Sequence, residues 1–266
     1  METTTQDNGQ LTGNVLFYTA PEPLSREAHG TLGVVRQDKP FGFAAQGHVV
    51  PLTVAEFGLA CLSYPIIFAG EQRQPLAVMG LNPGQNLFVK DDGSFEVGAY
   101  VPAYIRRFPF VLANDEAQQR MIVCIERPSS LFAEEGHDMP LFDDQGEPSE
   151  YTKNAIKFCE DFETERRRTE AFVTLVKDLD LLETKRAVFT PNLPDGTQGP
   201  PQVIAEYFGV AEEKLRALPL EKLGELRDSG ALEKIYNHLS SLVGWERLMA
   251  LAAARNAATP PAANLQ

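Results

Sequence analysis

The residues best suited to binding chemistry lie together in the segment YVPAYIRRFPF, at positions 100–110. It contains two tyrosines, two adjacent arginines and two phenylalanines. An arginine side chain presents a planar set of donors that suits a carboxylate or a phosphate group. Because the whole chain carries a formal charge of −13, these two arginines predict contact with an anionic ligand or a partner.

The spacing within this segment predicts how its side chains divide. If the segment is helical, Tyr100, Tyr104 and Phe108 lie on one side, because residues four apart share a helix face. Arg106 and Arg107 then point about 100° apart. One of them can pair with an internal carboxylate while the other reaches a cleft. The alternative is that the aromatic rings are core and that both arginines form structural ion pairs.

A carboxylate candidate lies upstream, at Glu56. The pattern Thr53-x-x-Glu56 is a capping box, in which each side chain bonds to the backbone nitrogen of the other residue. Glu56 is therefore predicted to cap a short helix that begins at Thr53. It is also a candidate for the ligand- or partner-binding site, and a catalytic role would combine it with Tyr104 and Arg107.

Recognisable catalytic and cofactor motifs are missing from the sequence. It has no GxSxG nucleophile motif and neither a GxxxxGK(S/T) nor a GxGxxG phosphate-binding loop. The four histidines are scattered, and the pair His137–Asp138 lacks the second histidine that an iron site with two histidines and one carboxylate needs. We therefore expect no metal and no cofactor. An enzyme built from dispersed residues stays open as an alternative.

Composition indicates a globular, acidic protein. Hydrophobic residues make up 43% of the chain and charged residues 23%, a balance typical of a chain with a buried core. The net charge of −13 repels a phosphate backbone, so nucleic acid is not an expected partner.

Several features predict the compartment. The N-terminus METTTQDNGQ has neither the basic nor the apolar region of a secretory signal. The longest nearly apolar stretches, such as residues 60–70, fall short of the ~20 residues that span a bilayer. Three dispersed cysteines suit a reducing compartment. We expect a cytoplasmic chain that does not cross a membrane.

The elements that must position these residues change character along the chain. Up to about residue 130, short apolar runs between turn residues predict strands. Two pairs of runs, one across a DDG turn and one across the NDEAQQR loop, predict hairpins. Short helices are predicted at Thr53 and over Tyr100–Phe108. The predicted strands are Val15–Tyr18, Leu32–Val35, Ile66–Phe68, Leu76–Leu81, Leu87–Val89, Phe110–Ala113 and Met121–Glu126.

The second half reads as helical. From Ser149, apolar residues recur every three or four positions, which predicts one helix of about 30 residues and ~45 Å. The stretch AVFTPNLPDGTQGPPQ reads as a loop because of its proline and glycine content. EEKLRALP and LEKLGELRDSG predict short helices, and a last helix begins at Ala231.

Together these patterns predict an α+β fold. An N-terminal, antiparallel β-rich part with short helices, residues 1–132, is followed by an acidic connection, 133–150. The helical part with its one long helix covers 151–254. Residues 255–266 are predicted to be a disordered tail.

Several sequence blocks together resemble the bacterial SapC family, whose name is shared with an unrelated membrane permease. The resemblance extends from about residue 29 to 250 and depends on the order and spacing of the blocks. They are GFAAQGHVVPLTVAEFGLACLSYPIIF, MGLNPGQNLFV, YVPAYIRRFPF, LFDDQGEPS and LPLEKLGELRDSGALEKIYNHLSSLVGWERL, read in the order printed.

The resemblance implies a role but no catalytic residue. Members are often encoded near TonB-dependent receptors, cupin-type oxygenase homologues and flavin-dependent halogenase-like proteins. This context implies an accessory role in outer-membrane nutrient uptake or in modification of a surface component. It makes these neighbours the candidate protein partners.

The leading hypothesis is a non-enzymatic accessory protein that binds a protein, a peptide or a small anionic ligand. The expected contact residues are those of the 100–110 segment and the upstream carboxylate: Tyr100, Tyr104, Arg106, Arg107, Phe108 and Glu56. One alternative is an enzyme of unrecognised type that acts on a peptide or a carbohydrate. Another is a structural component of a surface layer. A homodimer is compatible with each of these hypotheses.

Overall fold

The computed structural model describes residues 15–115, 120–190 and 197–258. In chain order the strands are β1 (Pro21–Pro23), β2 (Gly33–Val34), β3 (Val49–Pro51), β4 (Ile66–Ala69), β5 (Gln74–Val78), β6 (Phe110–Asp115), β7 (Arg120–Glu126), β8 (Phe132–Ala133), β9 (Met139–Pro140), β10 (Leu182–Phe189) and β11 (Gln202–Val210). The α-helices are α1 (Arg26–His29), α2 (Phe57–Ala60), α3 (Ala103–Arg106), α4 (Glu150–Asp178), α5 (Glu212–Arg216), α6 (Leu220–Asp228), α7 (Ala231–Ser241) and α8 (Gly244–Ala258). Two 3-10 turns cover Gly42–Ala44 and Val54–Glu56.

The predicted α+β fold is confirmed. The described strands form three sheets with the orders β1-β7-β6, β10-β11-β4-β5-β3 and β8-β2-β9, and their ladders are antiparallel. Nine of the eleven described strands precede the long helix, and four further helices follow it.

The chain folds into two compact units, each built from two separate segments. Unit 1 takes residues 1–40 and 107–163, and unit 2 takes 41–106 and 164–266. These units follow contacts between residues, whereas the division of the sequence at 132, 150 and 254 follows composition and stays a prediction.

Unit 1 packs apolar side chains on both faces of the β1-β7-β6 sheet. Phe110 and Ile125 belong to one buried cluster, which also contains Leu141. Val111 and Cys124, their neighbours in sequence, belong to a second cluster. Successive side chains of a strand point to opposite faces, so this sheet is covered by apolar groups on both sides.

Unit 2 builds its core around its five-stranded sheet. Phe68 on β4 lies 6.5 Å, between ring centroids, from Phe57 on α2 and 6.4 Å from Phe172 on α4. Phe57 and Phe172 meet edge to face at 6.0 Å. Rings at these distances contribute beyond the area that they bury, so this trio ties two helices to the sheet.

The long helix is confirmed as α4, which has 29 residues. The boundary between the two units falls inside it, after Glu163. Cys159 and Phe162 are buried before that boundary, and Thr169 and Phe172 are buried after it. Charged residues occupy its other faces, and within the described ranges no helix has the length and apolar character to cross a membrane.

Three predicted front-half elements differ from those observed. Residues 15–18 form a turn, in which the nitrogen of Tyr18 donates to the oxygen of Val15 at 3.0 Å, and the strand begins at Pro21. The predicted helix over Tyr100–Phe108 covers only Ala103–Arg106. Around the DDG turn, the predicted hairpin is reduced to a single bridge between Val89 and Phe95. The β6–β7 hairpin is confirmed.

A hairpin of strands β10 and β11 lies inside the part of the chain predicted to be helical, on either side of the predicted loop at 187–202. The two strands pair along their whole length, with one irregularity between Ala187 and Val188. Only Ala187 is buried on β10, so this strand lacks the apolar alternation that marks a half-buried strand. The centre of the predicted loop, 191–196, lies outside the described residues.

The predicted last helix is two helices, α7 and α8. The second of them continues to Ala258 and so includes the first four residues of the predicted tail. Residues 259–266 lie outside the described ranges.

Candidate functional site

The capping box at Thr53 and Glu56 is confirmed, and it is the base of the candidate site in unit 2. Glu56 is only 5% exposed. Its Oε2 accepts hydrogen bonds from the backbone nitrogen of Thr53 at 2.9 Å and from Thr53 Oγ1 at 2.8 Å. The carboxylate thereby caps the Val54–Glu56 turn.

The other oxygen of Glu56 holds the start of α3. Oε1 accepts from the backbone nitrogen of Ala103 at 2.6 Å and from the Tyr100 hydroxyl at 3.1 Å. A buried carboxylate is costly unless donors satisfy its oxygens. With four donors on two oxygens, Glu56 serves as a structural anion that ties two segments of the chain together.

Tyr100 connects this buried carboxylate to the surface. Its hydroxyl donates to Glu56 and accepts from Nη2 of Arg106 at 3.0 Å. Its backbone nitrogen donates to Ser63 Oγ at 3.0 Å, and its carbonyl oxygen accepts from the Tyr64 hydroxyl. Burial, followed by the nearby negative charge of Glu56, raises the pKa of Tyr100 to about 12. The phenol therefore keeps its proton at neutral pH.

Arg106 is the exposed end of this chain of hydrogen bonds. Its Nε donates to the carbonyl oxygen of Val101 at 3.0 Å, and its Nη2 donates to the Tyr100 hydroxyl. The guanidinium carbon lies 5.7 Å from the centroid of the Tyr100 ring. Two bonds from different atoms fix the plane of the guanidinium. An oriented guanidinium at the surface suits a carboxylate or a phosphate.

The remaining predicted site residues lie elsewhere. Tyr104 is buried in unit 2. Arg107 and Phe108 belong to unit 1, where the guanidinium carbon of Arg107 lies 4.8 Å from the centroid of the Phe162 ring and 5.7 Å from that of Tyr18. The structure thus groups Glu56, Tyr100 and Arg106 and gives Arg107 an aromatic setting of its own.

Unit 1 contains a serine, a histidine and a glutamate that sequence reasoning did not single out. Nε2 of the buried His29 lies 2.7 Å from Glu22 Oε1, and its Nδ1 lies 3.1 Å from the carbonyl oxygen of Ser25. Ser25 Oγ accepts from the nitrogen of Ala28 as the cap of α1. Because the hydroxyl bonds to the helix and not to the imidazole, this is a helix cap and not a catalytic triad.

A polar cavity of about 680 Å³ in unit 2 is lined in part by Arg255 of α8. The Nη atoms of Arg255 donate to the carbonyl oxygens of Asn86 and Val89 and to Asp91 Oδ1, each at 2.9 Å. These bonds fasten the end of α8 to residues 86–91, so Arg255 has a structural task. Among the described residues, no group of three or more His, Cys, Asp or Glu side chains is arranged to hold a metal ion.

The comparison with protein families identifies the chain. A family model described as SapC matches residues 24–248, which is most of the chain. The match includes the sequence blocks that carried the resemblance, so the predicted membership of the SapC family is confirmed. No curated protein and no solved structure matches the chain.

Proposed function

We propose that this chain, which belongs to the SapC family, is a non-enzymatic binding protein that recognises an anionic group of a protein, a peptide or a small ligand through Arg106. The supporting observation is that Arg106 is exposed while its guanidinium plane is set by Val101 and by Tyr100, which is itself bonded to the buried Glu56.

Pre-organisation explains why such an arginine favours binding. A free surface arginine loses side-chain entropy when a ligand immobilises it, and that loss weakens binding. Arg106 is already held by two hydrogen bonds, so it loses less. The same network disfavours proton transfer, since a phenol with a pKa of about 12 is a poor general acid at neutral pH.

The proposed cellular setting follows from the family resemblance. We place the chain in the cytoplasm as an accessory to outer-membrane nutrient uptake or to modification of a surface component. Its proposed protein partners are a cupin-type oxygenase, a halogenase-like protein or a TonB-dependent receptor system. Self-association into a homodimer is compatible with this role.

The proposal is tested by purifying the chain from its native cell and identifying bound proteins and small molecules by mass spectrometry. The affinity of each purified species is then measured for the wild-type chain and for Arg106→Gln. We expect about tenfold weaker binding by the variant, because one charge-assisted contact contributes about 1.5 kcal/mol.

Arg227→Gln is the matched control, because Arg227 is an exposed arginine of α6 in the same unit. It should leave the affinity unchanged. Equal affinities for wild type and Arg106→Gln would reject the proposed site. A fall in melting temperature of more than a few degrees in Arg106→Gln would instead show that Arg106 stabilises the fold.

A further inference from the structure

A groove of about 580 Å³ lies in unit 2 between the second half of α4 and the start of α7. We call it the α4–α7 groove. The 3-10 turn contributes Val54 and Ala55, α4 contributes residues between 165 and 175, and the α6–α7 junction contributes residues 229–234. Its volume is in the range of sites for small molecules, about 300–1,000 Å³.

The floor of the groove is apolar. Phe172, Val54 and Ala231 are buried there, and Ala171 and Leu175 continue the surface. On α4 the lining positions 165, 168, 172 and 175 are spaced by three or four residues, so they follow one face of the helix. The ten helical steps from position 165 to 175 give this face a length of about 15 Å.

Two cations stand at the edge of this apolar floor. Nη1 of Arg168 donates to Glu165 Oε1 at 2.5 Å, while Nε and Nη2 have no hydrogen-bond partner among the residues that the structure describes. Nζ of Lys234 donates to Glu233 Oε1 at 3.0 Å, although only 26% of the lysine side chain is exposed. Each cation is paired with its neighbouring acid and still has N–H groups that can donate to a ligand.

We propose that the α4–α7 groove binds a carboxylate that is carried on an apolar body. The carboxylate accepts from the Nε and Nη2 edge of Arg168 and from Lys234, and the apolar body covers Phe172, Ala171 and Leu175. A free apolar acid and the C-terminal residue of a peptide share this chemistry. The groove is a second site, independent of the one proposed around Arg106.

The paired acids explain why a carboxylate, and not a larger anion, fits this rim. Glu165 and Glu233 cancel the charge of Arg168 and Lys234, so the rim has no net charge. A multiply charged group would meet repulsion from both acids. A single carboxylate can instead take the remaining edge of the guanidinium in a two-point contact.

The test uses calorimetric titration of the full chain with 4-phenylbutyrate and with 4-phenylbutyramide, which has the same shape without the charge. The peptides acetyl-Ala-Leu-Phe with a free C-terminus and with a C-terminal amide form the second arm. We expect the affinity of each acid that binds to be about tenfold or more higher than that of its amide, because the amide cannot form the charge-assisted contacts. The arm that binds more tightly identifies the source of the carboxylate.

Two variants locate the binding. Ala171→Trp fills the groove from an exposed helix position and should abolish binding, whereas Ala253→Trp, at an exposed position of α8, should not. Arg168→Gln should lower the affinity for the acids about tenfold and leave the affinity for the amides unchanged. Helical circular dichroism and melting temperature confirm that each variant is folded.

Several results would overturn the proposal: no binding of any acid at millimolar concentration, equal binding of acid and amide, or unchanged binding by Ala171→Trp. Arg216→Gln, at an exposed arginine of α5 that does not line the groove, should bind these acids as the wild type does. Ala171→Trp leaves Arg106 in place, so its effect separates binding at the groove from binding at Arg106.

Discussion

Nδ1 of His238 donates a hydrogen bond of 2.8 Å to the carbonyl oxygen of Ile66. Nε2 of the same ring accepts from the backbone nitrogen of Val210 at 3.0 Å. The strands that carry these two partners, β4 and β11, are paired at a single position, Phe68 with Phe208. The neutral imidazole of His238 therefore provides the hydrogen-bond partners of a backbone carbonyl on β4 and a backbone nitrogen on β11, which the pairing of these strands does not provide.

This arrangement predicts acid sensitivity. Burial, with a smaller contribution from the charge of Lys185, lowers the pKa of His238 from its ordinary value of 6.5 to about 4, although the hydrogen bond to Ile66 opposes the shift. As pH falls from about 6.5 towards 4, His238 becomes protonated in the unfolded chain but stays neutral in the folded chain. The free energy of unfolding should therefore fall by about 2 kcal/mol between about pH 7 and pH 5, as measured by denaturant titration.

The His238→Asn variant serves as the control for this acid sensitivity. Asparagine keeps a donor for Ile66 but does not titrate, so the variant should lose less stability than the wild type over the same pH range. An identical pH dependence in both proteins would show that other groups cause the acid sensitivity.

Ser241, one turn after His238, holds the same strand. Its Oγ accepts from the backbone nitrogen of Ile66 at 2.8 Å and donates to the oxygen of His238 at 2.6 Å. Ser241→Ala leaves the buried nitrogen without a partner, and we expect a loss of about 2 kcal/mol in the free energy of unfolding. Ser240→Ala, at the exposed neighbouring position, should change stability by less than about 0.5 kcal/mol. Equal effects of the two substitutions would contradict the assignment.

Thr169 and Thr174 on α4 provide a second matched pair. Both hydroxyls donate to the carbonyl oxygen four residues earlier. Only Thr169 Oγ1 also accepts, from the nitrogen of Val54 at 3.0 Å. Thr169→Val should therefore destabilise unit 2 by about 1–2 kcal/mol, and Thr174→Val should have little effect. Thermal and denaturant unfolding measure the stability of both variants. An unchanged stability in Thr169→Val would show that the nitrogen of Val54 finds another hydrogen-bond partner.

Glu126 in unit 1 is a buried carboxylate that holds the chain before β1. It is 3% exposed and accepts from the nitrogen and hydroxyl of Thr19 and from the nitrogen of Ala20. In Glu126→Gln one of the two acceptor oxygens becomes an NH₂ group that faces the nitrogens of Thr19 and Ala20, so we expect a loss of about 2 kcal/mol and easier proteolysis near Thr19. Glu135→Gln, at an exposed position, is the control. Equal unfolding midpoints for both variants would refute this assignment.

Elements specified by neighbouring residues were predicted well. The capping box at Thr53 and Glu56 depends on residues three apart, and α4 depends on an apolar face repeated over eight turns. The β6–β7 hairpin joins runs that are close in sequence. The β10–β11 hairpin was missed because β10 is rich in charged residues and lacks the apolar alternation of a half-buried strand. The glycine- and proline-rich segment between the two strands was the available signal.

The candidate site was only half visible in the sequence. The aromatic–arginine segment could be recognised from composition, and Glu56 could be recognised as a cap. That the Tyr100 hydroxyl bonds to a carboxylate 44 residues earlier has no local signature. The groove at Arg168 was equally hidden, because α4, α7 and the Val54–Glu56 turn meet only in the folded chain.

The sequence by itself determined the family, the α+β class and the helices and hairpins whose stabilising contacts lie within a few residues. Tertiary structure alone decided that Arg106 and Arg107 enter different units and that His238 finishes a sheet formed by strands far from it in sequence. The physical reason is that periodicity and capping act over one or two turns. The pairing of buried polar groups depends instead on which distant segments the apolar core brings together.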